Sequence, residues 1–214
     1  MIYLSGCVTT TQQAHPRPDL GFMMQPGMGN KIDLRHGPWA ADNGCFSKTA
    51  RFDAGNWLAW LASLRDMRES CLFATAPDVV GDWDQSIKRS EPYLATIRQL
   101  GYKPALVAQD GMPIQYLDVG GYDCLFIGGT DAWKFSEIAY ELAHKARRQG
   151  RWVHQGRVNS FTRLRAMQVA GFDSADGTFV KFGPDRNLPK VYDWLDSLAQ
   201  TPVMDAGKDL RYET

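Results

Sequence analysis

Residues 105–129 read ALVAQDGMPIQYLDVGGYDCLFIGG, two short apolar runs joined by a polar stretch. The first run, Ala105–Ala108, closes on Gln109 and Asp110; the second, Cys124–Ile127, closes on Gly128 and Gly129. Runs of this length bounded by turn formers are buried strands, and Met112–Tyr122 between them leaves room for only a brief helix. The same unit repeats in both directions. Apolar runs at Ile2–Ser5, Trp39–Ala41, Leu72–Thr75, Trp152–His154, Gly171–Ser174 and Phe179–Phe182 bring the candidate strands to eight. Between them lie stripes at helical spacing, such as Trp57, Trp60, Leu61 and Leu64, or Ile87, Leu94 and Ile97. Further stripes are Phe135, Ile138 and Leu142, then Phe161, Leu164 and Met167, then Val191, Trp194, Leu195 and Leu198. Spacings of three and four put each set on one helix face. Asp53, Asp131 and either Asn159 or Ser160 stand where N-caps belong.

Strand–helix alternation without a linker-like break means a parallel sheet with right-handed crossovers. Eight strands predict a compact (β/α)8 TIM-type barrel, α/β in class and a single domain over residues 1–200. The alternative is a doubly wound sheet, because about 200 residues is the lower limit for such a barrel. Residues 9–36, rich in Gly, Pro, Gln and Met, read as a long active-site loop after the first strand, and residues 201–214 as a polar tail.

Composition narrows the function classes. The chain has 214 residues, 24 Lys plus Arg against 24 Asp plus Glu, 44% apolar and 22% charged residues, which is globular and not disordered. No apolar run approaches the roughly 18 residues needed to cross a bilayer. The start, Met1-Ile2-Tyr3-Leu4-Ser5, lacks the regions of a signal peptide. A soluble, cytoplasmic protein with no membrane partner is expected. Cys7, Cys45, Cys71 and Cys124 contain no C-x-x-C pair, and His15, His36, His144 and His154 have no ligand spacing. Neither a disulfide framework, a metal site nor another cofactor is expected. Charge is unevenly spread, however. Residues 142–172 hold Lys145, Arg147, Arg148, Arg151, Arg157, Arg163 and Arg165 but no Asp or Glu. Such a run attracts phosphate backbones, with a solvated helix surface as the plainer reading.

The polar residues that close the strands share one position. Asp42, Asp78, Gln109, Gly128 and Gly129, Gln155 and Gly156, and Asp173 and Asp176 all fall at C-terminal strand ends, which converge on the mouth of a parallel barrel. A lone carboxylate there is commonly a helix cap, as Asp82 and Asp84 are read for the Ile87 helix. Several carboxylates with paired glycines mark a candidate active site. Two facing carboxylates suit attack at an anomeric carbon, one stabilising or bonding to it while the other moves a proton. A carboxylate such as Asp78 accepts both N–H donors on the edge of a guanine-like base. Gln109 serves the remaining edge, and the Gly128-Gly129 N–H groups face a carbonyl oxygen. Cys45 reads as a filler, His154 as a packed strand-end residue rather than a proton shuttle, and Trp39, Trp83 and Trp133 as core rather than base stackers.

These residues, taken in order, resemble the tRNA-guanine transglycosylase superfamily, including the relatives that insert 7-deazaguanines into DNA. Asp42-Asn43-Gly44-Cys45-Phe46-Ser47 is similar to the family's D-S-G-G-F-Q, whose Asp transfers the proton. Asp78 falls where F-D-E-C has its base-reading Asp, and Val107-Ala108-Gln109-Asp110-Gly111 resembles V-Q-G-G. Ile127-Gly128-Gly129-Thr130 is similar to I-G-G-L, and His154-Gln155-Gly156-Arg157-Val158 to the M-G-V-G region that covers the base. Gly171-Phe172-Asp173-Ser174-Ala175-Asp176 resembles G-x-D-x-F-D, whose last Asp is the nucleophile. That motif position favours Asp176, with Asp173 as the alternative. The zinc subdomain of the tRNA enzymes, C-x-C-x-x-C plus His, is missing, and Cys45, Asp110 and Gln155 depart from the pattern. A minimal barrel of this kind is closer in character to the zinc-less DNA-acting or phage-type branch.

The resemblance implies cleavage of the N-glycosidic bond of a guanine-like base by Asp176, with Asp42 managing protons and a free 7-deazaguanine entering. DNA is the implied partner, bound through the Lys145–Arg165 cations, with tRNA as the alternative. A monomer or weak homodimer follows from the missing zinc region. The rival readings are a glycosylase that leaves an abasic sugar, an O-glycoside hydrolase, and a non-catalytic nucleic-acid-binding module.

Overall fold

Eight parallel strands pair in chain order and close on themselves: β1 (Ile2–Ser5), β2 (Leu20–Met24), β3 (Trp39–Ala41), β4 (Cys71–Thr75), β5 (Pro104–Ala108), β6 (Cys124–Ile127), β7 (Trp152–Gln155) and β8 (Ser174–Gly177). Closure is the β1–β8 pairing, running from Ile2 with Ser174 to Ser5 with Gly177. The helices are α1 (Thr10–Ala14), α2 (Ala54–Ser63), α3 (Trp83–Gln99), α4 (Asp131–Lys134), α5 (Glu137–Arg148), α6 (Phe161–Val169) and α7 (Pro184–Gln200). The structure, a computed structural model, describes residues 1–6, 9–28, 34, 37–46, 52–118 and 120–200. The fold is the TIM-type barrel that the alternation predicts, not the doubly wound sheet.

The two-residue period of the strands sorts side chains to two sides. Leu4, Met23, Ala40, Phe73, Ala105 and Cys124 fill the barrel interior together with Phe126 and Trp152. The outward residues meet Trp57 and Leu61 of α2, Leu94 and Ile97 of α3, Leu142 of α5, Leu164 and Met167 of α6, and Val191 and Leu195 of α7. Burying each such side chain contributes about 1.5–3 kcal/mol, so the helical stripes, not the polar loops, fix the barrel. Asp53, Asp82, Thr130 and Ser160 cap α2, α3, α4 and α6 by accepting a backbone N–H three residues on. Asp131, expected as a cap, is instead the first residue of α4. Among the described residues no helix is long and apolar enough to cross a membrane.

The structure corrects three parts of the sequence reading. The expected loop 9–36 contains α1 and the wholly buried strand β2; its residues 29–33, 35 and 36 lie outside the described residues, as do Ser47 and the tail 201–214. Phe179–Phe182 is not a strand: Val180–Phe182 is a short 3-10 turn. The last strand is Ser174–Gly177 rather than Gly171–Ser174, because its backbone completes the ladders to both β1 and β7. Gly177 is required there, since a Cβ would overlap the Tyr3 hydroxyl and the Val158 carbonyl.

Candidate active site

The C-terminal strand ends surround a cavity of about 540 Å³, a size that takes small molecules. Asp42, Asp78 and Asp176 all line it. Asp42 stands one residue beyond β3, where its N–H still donates to the Met24 carbonyl of β2 (2.6 Å). Its Oδ1 accepts from the Gly44 N–H at 3.1 Å, in a turn that a left-handed Gly44 (φ 73°) allows. Burial pushes the Asp42 carboxyl up to about 6; the Gly44 N–H opposes the rise, and the charges of Asp176 and Asp78 add to it.

Asp176 points into the barrel because it is in register with the inward Leu4 of β1. Its Oδ2 lies 3.0 Å from His154 Nε2, and its Oδ1 accepts from the Arg157 N–H at 3.2 Å. His154 is wholly buried against the rings of Phe73 and Phe126, with centroids at 5.0 and 4.5 Å. Its Nδ1 is 2.7 Å from Ser174 Oγ, which accepts from Trp152 Nε1–H at 2.8 Å. An ionised carboxylate only accepts, so opposite an ionised Asp176 the donor is His154 Nε2. The packed strand-end histidine of the sequence reading is thus also a donor that fixes Asp176. Asp173 belongs to the other end of the barrel: its Oδ2 accepts from the Val153 N–H at 2.8 Å, and its Oδ1 is 3.1 Å from Arg147. Of the two carboxylates only Asp176 lines the cavity.

Asp78 is buried in the opposite wall. Asn43 Nδ2 donates to its Oδ1 at 3.0 Å and Gln109 Nε2 to its Oδ2 at 2.6 Å. Burial raises its pKa, and the two amides oppose the rise. Each oxygen keeps a lone pair for a ligand N–H. Gln109 lies in the wall as expected, but its Oε1 accepts from the Gly81 N–H at 2.8 Å, so its amide is largely committed to holding Asp78. Gly128, Gly129 and Gly156 also line the cavity. A Cβ on Gly128 would stand 2.8 Å from Val107 Cγ1 and 3.0 Å from Gln109 Nε2. The Gly128 N–H donates to the Ala108 carbonyl at 2.9 Å, so of the glycine pair only Gly129 remains a candidate donor to a base.

Gln155 is a correction. It is in register with Ile127, on the outward face of β7, wholly buried, and neither end of its amide is hydrogen-bonded among the described residues. A side chain directed away from the interior does not cover a base. The cationic run is also divided. Helix α5 runs antiparallel to the strands, so Lys145, Arg147 and Arg148 end at the face opposite the mouth. There Lys145 pairs with Asp118 (2.9 Å), Arg147 with Asp173 and the Gly171 carbonyl, and the Arg151 guanidinium lies 4.0 Å over the Tyr122 ring. Arg165 is exposed on α6. Arg157 alone of the seven lines the cavity, and Arg163, in the first turn of α6, stands 3.7 Å from Asp131 at the rim.

Sequence reasoning missed four contributors: Lys134 and Lys181, which line the cavity, Asn43 as the partner of Asp78, and the link from His154 to Asp176. The i, i+3 spacing of Asp131 and Lys134 on a short helix was the available signal for the first. Arg157 is the one non-glycine residue of left-handed backbone among those described (φ 59°), and its guanidinium lies 3.6 Å over the ring of Phe46. Burial pushes the Cys45 thiol up to about 11, which keeps it protonated and unlike a nucleophile. Trp39 and Trp83 are core residues, whereas Trp133 is half-buried behind Gly129. Among the described residues no group of three or more His, Cys, Asp or Glu side chains is placed to hold a metal ion.

The chain matches no protein-family model and no curated protein. Among solved structures it is similar to a tryptophan synthase from M. tuberculosis at 13% identity and a TM-score of 0.48, covering 76% of this chain and 59% of that one. The tryptophan synthase alpha-subunit of Pyrococcus furiosus gives 15% identity and 0.44, covering 76% and 65%. A Bacillus subtilis protein with an EAL domain gives 16% and 0.43, covering 78% and 45%. The chain therefore spans less than two thirds of the length of these structures, and likenesses of this degree bear on the fold alone.

Proposed function

We propose that the protein exchanges a base in nucleic acid, with DNA as the substrate: Asp176 displaces a guanine-like base from its sugar, and a 7-deazaguanine takes its place. One observation carries this reading. Two carboxylates at the ends of β3 and β8 face the same cavity, Asp42, which burial raises to about 6, and Asp176, which lies against His154 Nε2 and the Arg157 N–H. A buried carboxyl that keeps its proton close to neutral pH suits the acid role, and a second carboxylate across the same cavity suits the nucleophile.

In the first half-reaction an Asp176 oxygen attacks C1′ as the bond from C1′ to the base nitrogen breaks. The electron pair leaves with the base, and Asp42 gives that nitrogen its proton. In the second, Asp42 takes the N–H proton of the incoming base, whose nitrogen attacks C1′ and returns Asp176 as a carboxylate. Asp78, held by Asn43 and Gln109, receives the N–H edge of either base, and the Gly129 N–H is the candidate donor to its carbonyl. Chemistry at C1′ inside a cavity requires the nucleotide to leave the stack or to lie in a single strand.

The test is to trap a covalent protein–oligonucleotide adduct on a denaturing gel. The wild type forms it with a guanine-containing strand; Asp176→Ala loses both adduct and base release yet retains the strand. Undiminished base release by Asp176→Ala overturns the reading. Abasic sites formed at the same rate with and without added 7-deazaguanine would replace exchange by hydrolysis.

A further inference from the structure

The cavity has a second chemical half that base exchange leaves unused. Its β6–β8 side carries Lys134 on α4, Arg157 after β7, and Thr178 and Lys181 beyond β8. Lys134 is 2% exposed, and a buried ammonium persists only where anions meet it. Asp131 Oδ1 pairs with it at 2.8 Å, and the side chain borders the cavity. Asp131 is itself shared, since Arg163 approaches its other oxygen at 3.7 Å. On this side Lys134, Arg157 and Lys181 line the cavity with Arg163 behind them, against the carboxylates of Asp176, Asp131 and Asp110, the last held by Thr130. The surplus is positive. Loops after the seventh and eighth strands are also where parallel barrels frequently hold phosphate. Arg157 joins the two halves of the site, because its backbone N–H donates to Asp176 while its guanidinium lies on the same rim. Arg157 follows β7 and Lys181 follows β8, so both stand in the cavity wall that carries Asp176.

We propose that Lys134, Arg157, Thr178 and Lys181 form a phosphate subsite that takes the phosphate attached to the sugar reacting at Asp176. It rests on the reading of Asp176 as the group that bonds to a nucleotide sugar. The substrate is then a phosphorylated nucleoside unit, and a free nucleoside is a poor one. A mononucleotide and a polynucleotide share this chemistry, and separate probes tell them apart.

The test uses the full chain, its Lys181→Ala and Lys134→Met variants, and Asp176→Ala as reference. Lys181 is exposed, so its replacement leaves folding undisturbed. Dissociation constants are measured over a salt series for guanosine, guanosine 5′-monophosphate and a single-stranded oligonucleotide with one guanine. The wild type is expected to bind the monophosphate about tenfold more tightly than guanosine, a preference that Lys181→Ala removes in large part. A fall of about 0.7 per lost cation in the salt slope for the oligonucleotide identifies a strand as the ligand. A loss confined to the monophosphate identifies a free nucleotide instead, and either result supports the subsite. Equal binding of guanosine and its monophosphate, a preference unchanged in both variants, or no binding of any probe overturns it. Failure of the underlying chemistry shows separately, as base release that persists in Asp176→Ala.

Discussion

Replacing Asp42 by Asn removes a carboxyl that the fold makes costly to ionise, so stability and activity are expected to move in opposite directions. The group ionises at 3.8 in an ordinary setting and at about 6 in the folded protein, chiefly through burial. Between those values the folded chain holds a proton that the unfolded chain has released. Stability therefore falls as pH rises, by about 1.4 kcal/mol per pH unit, to a loss of about 3 kcal/mol above pH 6. Asn carries no charge and keeps an oxygen for the Gly44 N–H. Below pH 4 wild type and Asp42→Asn should unfold alike; the variant should then gain with pH and level off about 3 kcal/mol more stable. For a chain of this size that is about 6–12 °C in Tm. Urea unfolding followed by tryptophan fluorescence, at half-unit steps from pH 4 to 8, measures the difference directly. A gap independent of pH, or a variant that is less stable at neutral pH, would mean that the fold stabilises the Asp42 anion, and the proton-donor role would fall with it.

Three other outcomes follow from the same geometry. Turnover should peak near pH 6, where Asp42 both gives and takes a proton, and should decline above it as the acid form is lost; a flat profile from pH 5 to 8 counts against Asp42. Gly128→Ala forces a Cβ against Val107 and the Gln109 amide, and should lose about 1–3 kcal/mol of stability while raising KM for the free base; wild-type melting and KM would contradict this. Gln109→Leu strands the Gly81 N–H and leaves Asp78 with one amide donor; it should cost about 1–3 kcal/mol and weaken base binding more than the chemical step, as separate kcat and KM values would show.

The barrel was legible in the sequence where strands are apolar and helices striped. Ile2–Ser5, Trp39–Ala41 and Cys124–Ile127 fall where the pattern placed them. It was not legible where pairing alone makes the strand. Leu20–Met24 is buried but has no β-branched residue and lies between proline-bearing loops, while Ser174–Gly177 has one apolar side chain and is held by neighbours on both sides. Phe179–Phe182 has the apolar content of a strand but no ladder to join. The site followed the same division. Strand-end position was enough to place Asp42, Asp78, Gln109 and Asp176 around one cavity. It could not tell an inward from an outward residue at Gln155, where a single step of register decides, nor foresee that α5 carries its cations to the far face. Lys134 and Lys181 are ordinary lysines in sequence, and only closure of the barrel brings them to the same hollow.

Strands β3 and β7 stand on opposite sides of an eight-membered ring, and Phe46 and Arg157, beyond their C-terminal ends, touch each other and both line the cavity. That contact is a strap across the doorway. With Phe46 about half exposed (49%), a pairing of this type is worth about 0.5–1 kcal/mol. The strap is therefore undone for an appreciable fraction of the time, and an arriving guest that must part it sacrifices no more than about fivefold in affinity. A flat ring that slides onto Phe46 in place of the guanidinium recovers most of that loss, so admission favours aromatic guests before any deeper group has touched them.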